Sequence, residues 1–422
     1  MDNLTKEKPK AAKSNKLNFA CRSCASKRVQ EFLSLGSVPL ANSLLKKEQL
    51  NEPEEHYPLN VVYCEDCSLV QITKTVPPEK LFSHYLYLSS FSETMLKHSE
   101  KLANKLTKEF SLTGRSLVVE IASNDGYLLQ YYKNQSIPVL GIEPAHNIAK
   151  IAQNKGIDTV NDFFSLELAT KLASEGKVAD VIHAHNVLAH VPDLNGFVSG
   201  IEKLLSPEGV AVIEAPYVQK MIDNIEFDTI YHEHLCYFSL TALKRLFENN
   251  NLVISNVEQV DIHGGSLRIY ASKKGASIGS AVEELLKDEE KRGINTVSYY
   301  KDFAKKVDKL RESVVGLLNK LKSEGKSIAA YGASAKGSTM MNFFGLDSNH
   351  LDFVADRSTV KQGLYTPGNR LPIFSPEEIL ERMPDYLLLL TWNFADEILE
   401  QQSKYRELGG KFIVPIPKPT IL

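Results

Sequence analysis

Residues 228–238 carry the densest set of side chains that could move a proton. Within them Tyr231, His232, Glu233 and His234 are consecutive. A histidine titrates near neutral pH, which suits general acid–base chemistry. Alternate side chains of an extended strand share a face, so several of the four converge only at a bend or a helix start. We interpret the segment as a proton-transfer site; a metal bound by the two histidines and a solvated strand edge remain alternatives.

One more histidine, His190, follows a predicted strand at residues 181–185 in the sequence Asn-Val-Leu-Ala-His. The carboxyl ends of parallel strands meet at one sheet edge, where ligands bind in open α/β folds. His190 is therefore expected at the same edge as the ligand site, with a structural histidine at a helix start as the alternative. Residues 261–268 add a polar turn whose two glycines permit close backbone approach.

The unit expected to hold a ligand is residues 117–143, which read as strand, turn, helix and second strand. Glu143 ends the second strand, where its carboxylate could accept both ribose hydroxyls of an adenosine cofactor. The turn lacks the G-x-G-x-x-G pattern of dinucleotide sites, since Gly126 is its only glycine. Its polar side chains, with Glu120 before it, favour a cationic ligand without phosphates, namely S-adenosylmethionine.

NAD and a ligand-free crossover remain the alternatives for this unit. After a plausible third strand, Asp162 could accept from the adenine amino group while Phe163 offers a ring to its face. The residues expected to hold the cofactor are Glu120, Ser123, Asn124, Gly126, Glu143, Asp162, Phe163 and Asn186.

Four of the five cysteines form two Cys-x-x-Cys pairs. Four thiolates satisfy the tetrahedral preference of Zn²⁺ and leave no open position, so the predicted site is structural. Disulfides or free thiols are the alternative, but no signal peptide precedes the pairs and disulfides are rare in the cytoplasm. The expected zinc ligands are Cys21, Cys24, Cys64 and Cys67. Cys236 lies on an apolar strand and is expected in the core.

Four segments are expected along the chain: a disordered tail at 1–17, a zinc-binding module at 18–75, a ligand-binding domain at 76–284 and a second α/β domain at 285–422. Strands alternating with helices over 111–220 predict a parallel sheet. The second α/β unit opens with a strand at 328–331 and a glycine turn at 332–337. Ser338 stands where a P-loop requires lysine, so the turn is not a Walker motif, although Lys336 and the helix start could bind phosphate. A plain tight turn is the alternative.

Composition narrows the function classes. The formal net charge of −3 argues against nucleic-acid binding, which usually needs a basic excess. No apolar run reaches the about 18 residues needed to span a membrane. We therefore expect a cytoplasmic protein with no nucleic-acid or membrane partner, as a monomer or small homo-oligomer.

The order of these motifs resembles one family, the S-adenosylmethionine-dependent sugar C-methyltransferases of deoxysugar pathways. The resemblance covers almost the whole chain after the tail. It rests on the two cysteine pairs, Ser-Asn-Asp-Gly at 123–126, Asn186 with His190, Tyr-His-Glu-His at 231–234, His-Gly-Gly-Ser at 263–266 and the turn at 332–337. It implies an α/β protein in which a class I methyltransferase Rossmann-like domain lies between an N-terminal zinc-binding module and a C-terminal Rossmann-like domain.

The resemblance also implies roles for single residues. It places Tyr85, His190, Tyr231, Glu233 and His234 in the substrate pocket, with His234 as the base. The C-terminal domain would hold a nucleotide-diphosphate sugar. The residues expected to bind this substrate are Ser334, Lys336, Ser338, His263 and Arg268.

The expected reaction is methyl transfer to C-3 of a nucleotide-linked 4-keto-6-deoxy sugar through an enolate. His234 would take the proton next to the ketone, Tyr231 or His190 would stabilise the enolate oxygen, and Glu233 would orient the pair. Two other functions stay open: a zinc-containing RNA methyltransferase and a non-catalytic scaffold that retains the folds. The sequence leaves open the sugar, the nucleotide and the stereochemistry.

Overall fold

A computed structural model describes residues 19–82, 88–262 and 264–422 of the 422-residue chain. Its N-terminal part is an antiparallel sheet of β1 (Val29–Val38), β2 (Tyr57–Cys64) and β3 (Val70–Ile72), followed by helix α1 (Pro78–Phe82). Strand β3 buries all three of its residues and β2 buries five of its eight, which fits their β-branched and aromatic residues. The predicted tail at 1–17 lies outside the described residues.

The middle part is a seven-stranded sheet in the order β10-β11-β8-β7-β4-β5-β6. Its strands are β4 (Val118–Ile121), β5 (Val139–Ile142), β6 (Thr159–Val160), β7 (Ala179–His185), β8 (Leu205–Pro216), β10 (Leu252–Val260) and β11 (Ser266–Lys273). Strands β4 to β8 of this sheet pair in parallel, whereas β11 runs antiparallel to both β8 and β10. The expected parallel sheet is therefore present, extended by two antiparallel strands.

Helices cover both faces of this sheet. They are α2 (Glu93–Glu109), α3 (Leu129–Asn134), α4 (His146–Asn154), α5 (Leu166–Ser174), α6 (Leu194–Leu204), α7 (Val218–Asp223) and α8 (Leu240–Asn249). Ser92, Ser165 and Ser239 cap α2, α5 and α8 by accepting a hydrogen bond from the first turn.

One short strand crosses between the two parts. Strand β9 (Cys236–Tyr237) pairs antiparallel with β3 and so completes the N-terminal sheet as its fourth strand. Cys236 is buried there, as the sequence predicted. The residues just before β9 are consequently held against the N-terminal module.

Two long helices, α9 (Ser280–Arg292) and α10 (Val297–Ser323), lead to a six-stranded sheet in the order β14-β13-β12-β15-β16-β17. Its strands are β12 (Ile328–Tyr331), β13 (Val354–Ala355), β14 (Ile373–Phe374), β15 (Tyr386–Leu389), β16 (Lys411–Val414) and β17 (Thr420–Ile421). Its helices are α11 (Ala335–Phe344), α12 (Glu377–Arg382), α13 (Ala395–Gln401) and α14 (Ser403–Glu407). Only β17 is antiparallel to its neighbour, so this is the second Rossmann-like α/β sheet.

The three parts pack against one another through aromatic and polar contacts. Tyr300 on α10 is buried and stacks on Tyr63 of β2 with ring centroids 5.0 Å apart. Leu45 and Tyr365 exchange two backbone hydrogen bonds of 2.9 and 2.8 Å, which join the N-terminal module to the C-terminal sheet. Trp392 of the C-terminal part donates its indole N–H to Asp228 at 2.7 Å. The segment around residue 230 thus lies where all three parts meet.

Among the described residues, no helix has both the length and the apolar character required to cross a membrane.

Candidate active site and metal centre

The four paired cysteines converge in the N-terminal module. The Sγ atoms of Cys21 and Cys67 are 3.4 Å apart, those of Cys24 and Cys64 are 3.6 Å apart, and all four lie within 4.8 Å of one another. A disulfide would bring two sulfurs to about 2.05 Å. Four sulfurs at about 2.3 Å from one tetrahedral ion would lie about 3.8 Å apart, so the thiols fit a closed four-sulfur metal site.

The turn after β4 has a strained backbone. Ala122, Asn124 and Gly126 all have positive φ, at 55°, 48° and 77°. Such conformations cost energy in non-glycine residues and concentrate at functional sites. A Cβ on Gly126 would stand 2.8 Å from the Cγ1 atom of Ile157, so this glycine also permits close packing.

Glu143 is fixed by the same turn. Its Oε2 accepts from the backbone N–H of Asn124 at 2.9 Å and its Oε1 from that of Ala145 at 2.8 Å. Burial raises the pKa of Glu143, and these two bonds oppose the rise. Each carboxylate oxygen keeps a second lone pair for a ligand hydroxyl. The side chain of Asn124 in turn accepts from Ser89 at 2.9 Å, so the segment before α2 lies against the turn.

Several buried polar atoms around this turn lack a protein partner. The Ser123 hydroxyl and the Asn186 side-chain oxygen are without a hydrogen bond within the described part of the chain. Buried polar groups are normally satisfied, so these two atoms are typical of a site shaped for a polar ligand. Burial raises the pKa of Glu120 well above its usual value, the Tyr127 hydroxyl opposes the rise, and Glu143 and Asp125 add to it.

The remaining predicted cofactor residues stand at the rim of the sheet. Asp162 bonds its own chain, since its Oδ1 accepts from the backbone N–H of Phe163 at 2.8 Å. The Phe163 ring is 38% exposed, which leaves a face free to stack on a planar ligand. The position beyond β6 agrees with an adenine-binding role, which stays a prediction.

The predicted proton-transfer residues separate into two groups because residues 231–234 form a turn, not a strand. The Tyr231 hydroxyl lies 3.0 Å from Nε2 of His234, and the His190 and His234 rings meet with centroids 4.9 Å apart. His190 follows β7 in a 3-10 turn, and its Nδ1 lies 2.7 Å from the Glu233 carbonyl oxygen. Tyr231, His234 and His190 therefore form one cluster, which we call the reaction cluster.

His232 points away from the reaction cluster. Its side chain is buried against the N-terminal module, where its ring meets Tyr57 edge-on at 5.7 Å. Burial lowers its pKa. Among the described residues, the four cysteines are the only group of three or more possible metal ligands that converge, and neither His232 nor His234 belongs to such a group.

Lys336 lies at the joint between the second and third parts. Its Nζ is 3.6 Å from Oε2 of Glu226 and 5.6 Å from the centroid of the Trp392 ring. Ser334 caps α11, accepting from Gly337 at 3.0 Å, and Ser338 is buried near Asn342. An ammonium has three donors, so Lys336 can bind a further anion while it pairs with Glu226.

Arg268 lies on β11 of the middle sheet and takes part in a buried network that the sequence did not reveal. Its Nε bonds Glu214 at 2.6 Å and one terminal nitrogen bonds Glu258 at 2.9 Å. His98 of α2 lies 2.9 Å from Glu214. Glu214 and Arg268 lie on the neighbouring strands β8 and β11, so the alternation of side chains along these strands could have predicted that they share a face. It could not have predicted that His98 of helix α2 packs over that face. Arg268 and Lys336 share no partner among the described residues.

The buried network around Arg268 continues toward the turn at residues 122–126. Nδ1 of His183 lies 2.9 Å from Nε2 of His185, and Nε2 of His183 lies 2.9 Å from the Tyr132 hydroxyl. Nδ1 of His185 is 3.2 Å from Glu214. His183 pairs in register with Glu120 on β4, so the buried network extends to the edge of the predicted cofactor site.

Two predicted site residues, Tyr85 and His263, lie outside the described residues.

Comparison with known proteins agrees with this arrangement. Three family models match consecutive parts of the chain: "Putative zinc binding domain" at residues 21–82, "Methyltransferase domain" at 95–257 and "C-methyltransferase C-terminal domain" at 261–417. The chain is also 36% identical to the C-methyltransferase NovU of Streptomyces niveus over 404 residues, which cover 95% of this chain and 96% of NovU. The chain belongs to the C-methyltransferase family. The predicted resemblance and fold class are thereby confirmed.

Solved structures resemble the methyltransferase part only distantly. The PH0226 protein of Pyrococcus horikoshii OT3 matches with a TM-score of 0.37 and 14% identity, over 48% of this chain and 100% of that one. Magnesium protoporphyrin IX methyltransferase of Synechocystis PCC 6803 matches with a TM-score of 0.34 and 14% identity, over 42% and 83%. These two likenesses carry no argument about substrate.

Proposed function

We propose that this C-methyltransferase moves a methyl group from S-adenosylmethionine to C-3 of a nucleotide-linked 4-keto-6-deoxy sugar. The observation that carries the proposal is the reaction cluster, whose His190 follows β7, the strand that pairs with β4 before the turn at 122–126. Carbon is a poor nucleophile until a proton leaves the position next to a ketone, so C-methylation needs a positioned base. S-adenosylmethionine would supply the electrophilic methyl group when bound.

His234 is the proposed base because its tautomer is fixed. Its Nδ1 lies 2.8 Å from the Thr229 carbonyl oxygen, which can only accept, so Nδ1 carries the hydrogen. Nε2 then holds the lone pair and faces the Tyr231 hydroxyl. His234 Nε2 would take the proton from the sugar carbon, and the Tyr231 hydroxyl would turn to donate to the enolate oxygen.

The cofactor would be held by the turn and strand ends described above. Glu143 offers lone pairs to the ribose, while Ser123 and Asn186 present buried atoms in need of partners. Burial raises the pKa of Glu120 and Glu143, and a cationic sulfonium ligand would favour their ionised forms, whereas a pyrophosphate would disfavour them further.

The N-terminal and C-terminal parts complete the proposal. Zinc held by the four cysteines would be structural, since no ligand position is open. The C-terminal part, with Ser334, Lys336 and Ser338 at the start of α11, would hold the nucleotide-diphosphate portion. A cytoplasmic location is proposed because the four thiols are unpaired by disulfides. The proposed boundaries are 18–75, 76–284 and 285–422.

Methyl uptake tests the function directly. Purified protein is incubated with S-adenosylmethionine and a panel of 4-keto nucleotide sugars, and mass spectrometry looks for a product heavier by one methylene group. Fragmentation then locates the new methyl group. Product methylated at C-3 supports the proposal. Methylation of RNA instead would favour the RNA methyltransferase, and absence of ligand binding to either α/β part would favour the scaffold.

A further inference from the structure

Asn42 brings the N-terminal module into contact with Glu233, the residue before His234 of the reaction cluster. Its side-chain Nδ2 donates to Oε1 of Glu233 at 2.6 Å, across 191 positions of sequence. A carboxylate only accepts, so the amide must present its nitrogen to Glu233. This contact was not expected from the sequence, where Asn42 stands in a mostly apolar segment after the first strand.

Asn42 is held in place from both sides. Leu40 and Ala41 before it are buried, and Leu45 after it exchanges two backbone hydrogen bonds with Tyr365 of the C-terminal part. The Asn42 side chain itself is exposed. A fixed backbone thus carries an accessible amide to the edge of the reaction cluster.

Glu233 is linked to both histidines of the cluster. It precedes His234 in the chain, and its carbonyl oxygen lies 2.7 Å from Nδ1 of His190. Glu233 is 8% exposed, and burial raises the pKa of its carboxyl group while the Asn42 hydrogen bond opposes the rise. The residues with titratable side chains that adjoin it are Tyr231, His232 and His234 in its own turn, and His190, which contacts its carbonyl oxygen.

We propose that Asn42 is a positioning residue of the reaction site, which holds the Glu233 carboxylate in place and in its ionised form. An ionised carboxylate on the residue before His234 would favour the positively charged imidazole that forms when His234 takes a proton. The N-terminal module would then serve the reaction directly as well as stabilise the fold. This inference rests on the proposed function for its kinetic readout but not for its spectroscopic one.

The kinetic test compares Asn42→Ala, Asn42→Asp and the control Asn60→Ala. Asn60 lies in the same module and its side chain bonds only Ser34 among the described residues. A hydrogen bond to a charged group contributes about 1.5 kcal/mol or more, which corresponds to about one pH unit. Asn42→Ala should lower kcat about tenfold and move the acid limb of its pH profile up by about one unit, with an unchanged KM.

The Asp variant should move the acid limb further, because two carboxylates at this distance cannot both ionise easily. In a Glu233→Gln background, Asn42→Ala should have no further effect on kcat. Equal losses in both backgrounds, or a change confined to KM, would overturn the positioning role.

An infrared titration works without a sugar substrate. The protonated carboxyl band of Glu233 is isolated as the difference between each protein and its Glu233→Gln counterpart. Its midpoint should rise by about one pH unit in Asn42→Ala. An unchanged midpoint overturns the inference. A shifted midpoint in a protein that methylates no 4-keto sugar would instead support the Asn42 contact and reject the proposed function.

Discussion

The imidazole rings of His190 and His234 meet edge to face with centroids 4.9 Å apart. They differ in what their nitrogen atoms face. Burial lowers the pKa of His190, and the carbonyl oxygens of Glu233 and Asn186 oppose the fall, so backbone acceptors surround its ring. His234 keeps one nitrogen toward a tyrosine hydroxyl. Of the two histidines, His234 is therefore the better placed to act as a base.

The base is tested by His234→Asn, which keeps a hydrogen-bonding side chain but cannot accept a proton near neutral pH. Wild-type protein with a 4-keto sugar and S-adenosylhomocysteine in D₂O should exchange the proton next to the ketone. The variant should lose exchange and methylation, by about 10²-fold or more, yet bind both ligands.

Two variants refine the test of His234. Tyr231→Phe should slow turnover less than His234→Asn does, since the base remains. His232→Asn is the matched control, because its side chain faces the N-terminal module, and the folded protein should retain exchange. A His234→Asn protein that methylates at nearly the wild-type rate would move the base to His190 or Glu233.

The cofactor site is tested by Glu143→Gln. The change keeps the size of the side chain but replaces an oxygen that accepts from the Asn124 or Ala145 backbone. Loss of charge-assisted bonds to the ribose should cost about 1.5–3 kcal/mol, so calorimetry should show S-adenosylmethionine bound at least about tenfold more weakly. Glu175→Gln, on the surface after α5, should bind normally. Unchanged affinity in Glu143→Gln would place the cofactor elsewhere.

Separate ligand sites are tested by Lys336→Met. The Lys336 ammonium is expected near the substrate phosphates. Lys336 belongs to the C-terminal part, whereas the predicted cofactor turn follows β4 of the middle sheet. The variant should bind a nucleotide-diphosphate sugar about tenfold more weakly and S-adenosylmethionine equally well, by calorimetry with each ligand alone. Lys320→Met, exposed on α10, is the control. Equal loss of affinity for both ligands would contradict the two-site arrangement. It would indicate that Lys336 stabilises the packing of the two parts through its ion pair with Glu226.

Zinc is tested by Cys64→Ser, which removes one of four convergent thiols. Metal binding to such a module contributes to its folding, so zinc content and thermal stability should fall together. Elemental analysis and a melting curve measure both. Cys236→Ala removes the fifth cysteine, which is buried in β9 and lies outside the four-sulfur cluster, and should keep a full zinc content. Zinc-free wild-type protein with four reactive thiols would refute the assignment.

Acid sensitivity is tested at His183. Burial, then the neighbouring His185, lowers its pKa well below the usual value. Between that lowered pKa and about 6.5 the unfolded chain binds a proton that the folded protein does not, so stability falls as pH drops through this window. His183→Gln should show a smaller fall in Tm between about pH 7.5 and about pH 5.5. The control His146→Gln, exposed on α4, should show the same fall in Tm as wild type. An unaltered fall in Tm in His183→Gln would contradict the prediction.

Local patterns determined much of this protein. The cysteine pairs, the strand-turn-helix units and Glu143 at a strand end were all predictable, because each depends on spacing over a few residues. The predicted strand at 181–185 lies within the observed strand Ala179–His185, and the predicted strand at 328–331 coincides with Ile328–Tyr331. The carboxyl edge of a parallel sheet then gathers these strand ends in one place, whatever the intervening sequence.

Only the tertiary structure decided which side chains meet. His232 and His234 are only two positions apart in one turn, yet His232 contacts the N-terminal module and His234 contacts His190, and sequence order carries no information about these directions. Asn42 reaches Glu233, and Arg268 joins Glu214 and His98, through contacts between distant segments. Such contacts depend on how whole sheets pack, because burial of apolar surface fixes the sheets first and the polar groups then pair with what lies opposite.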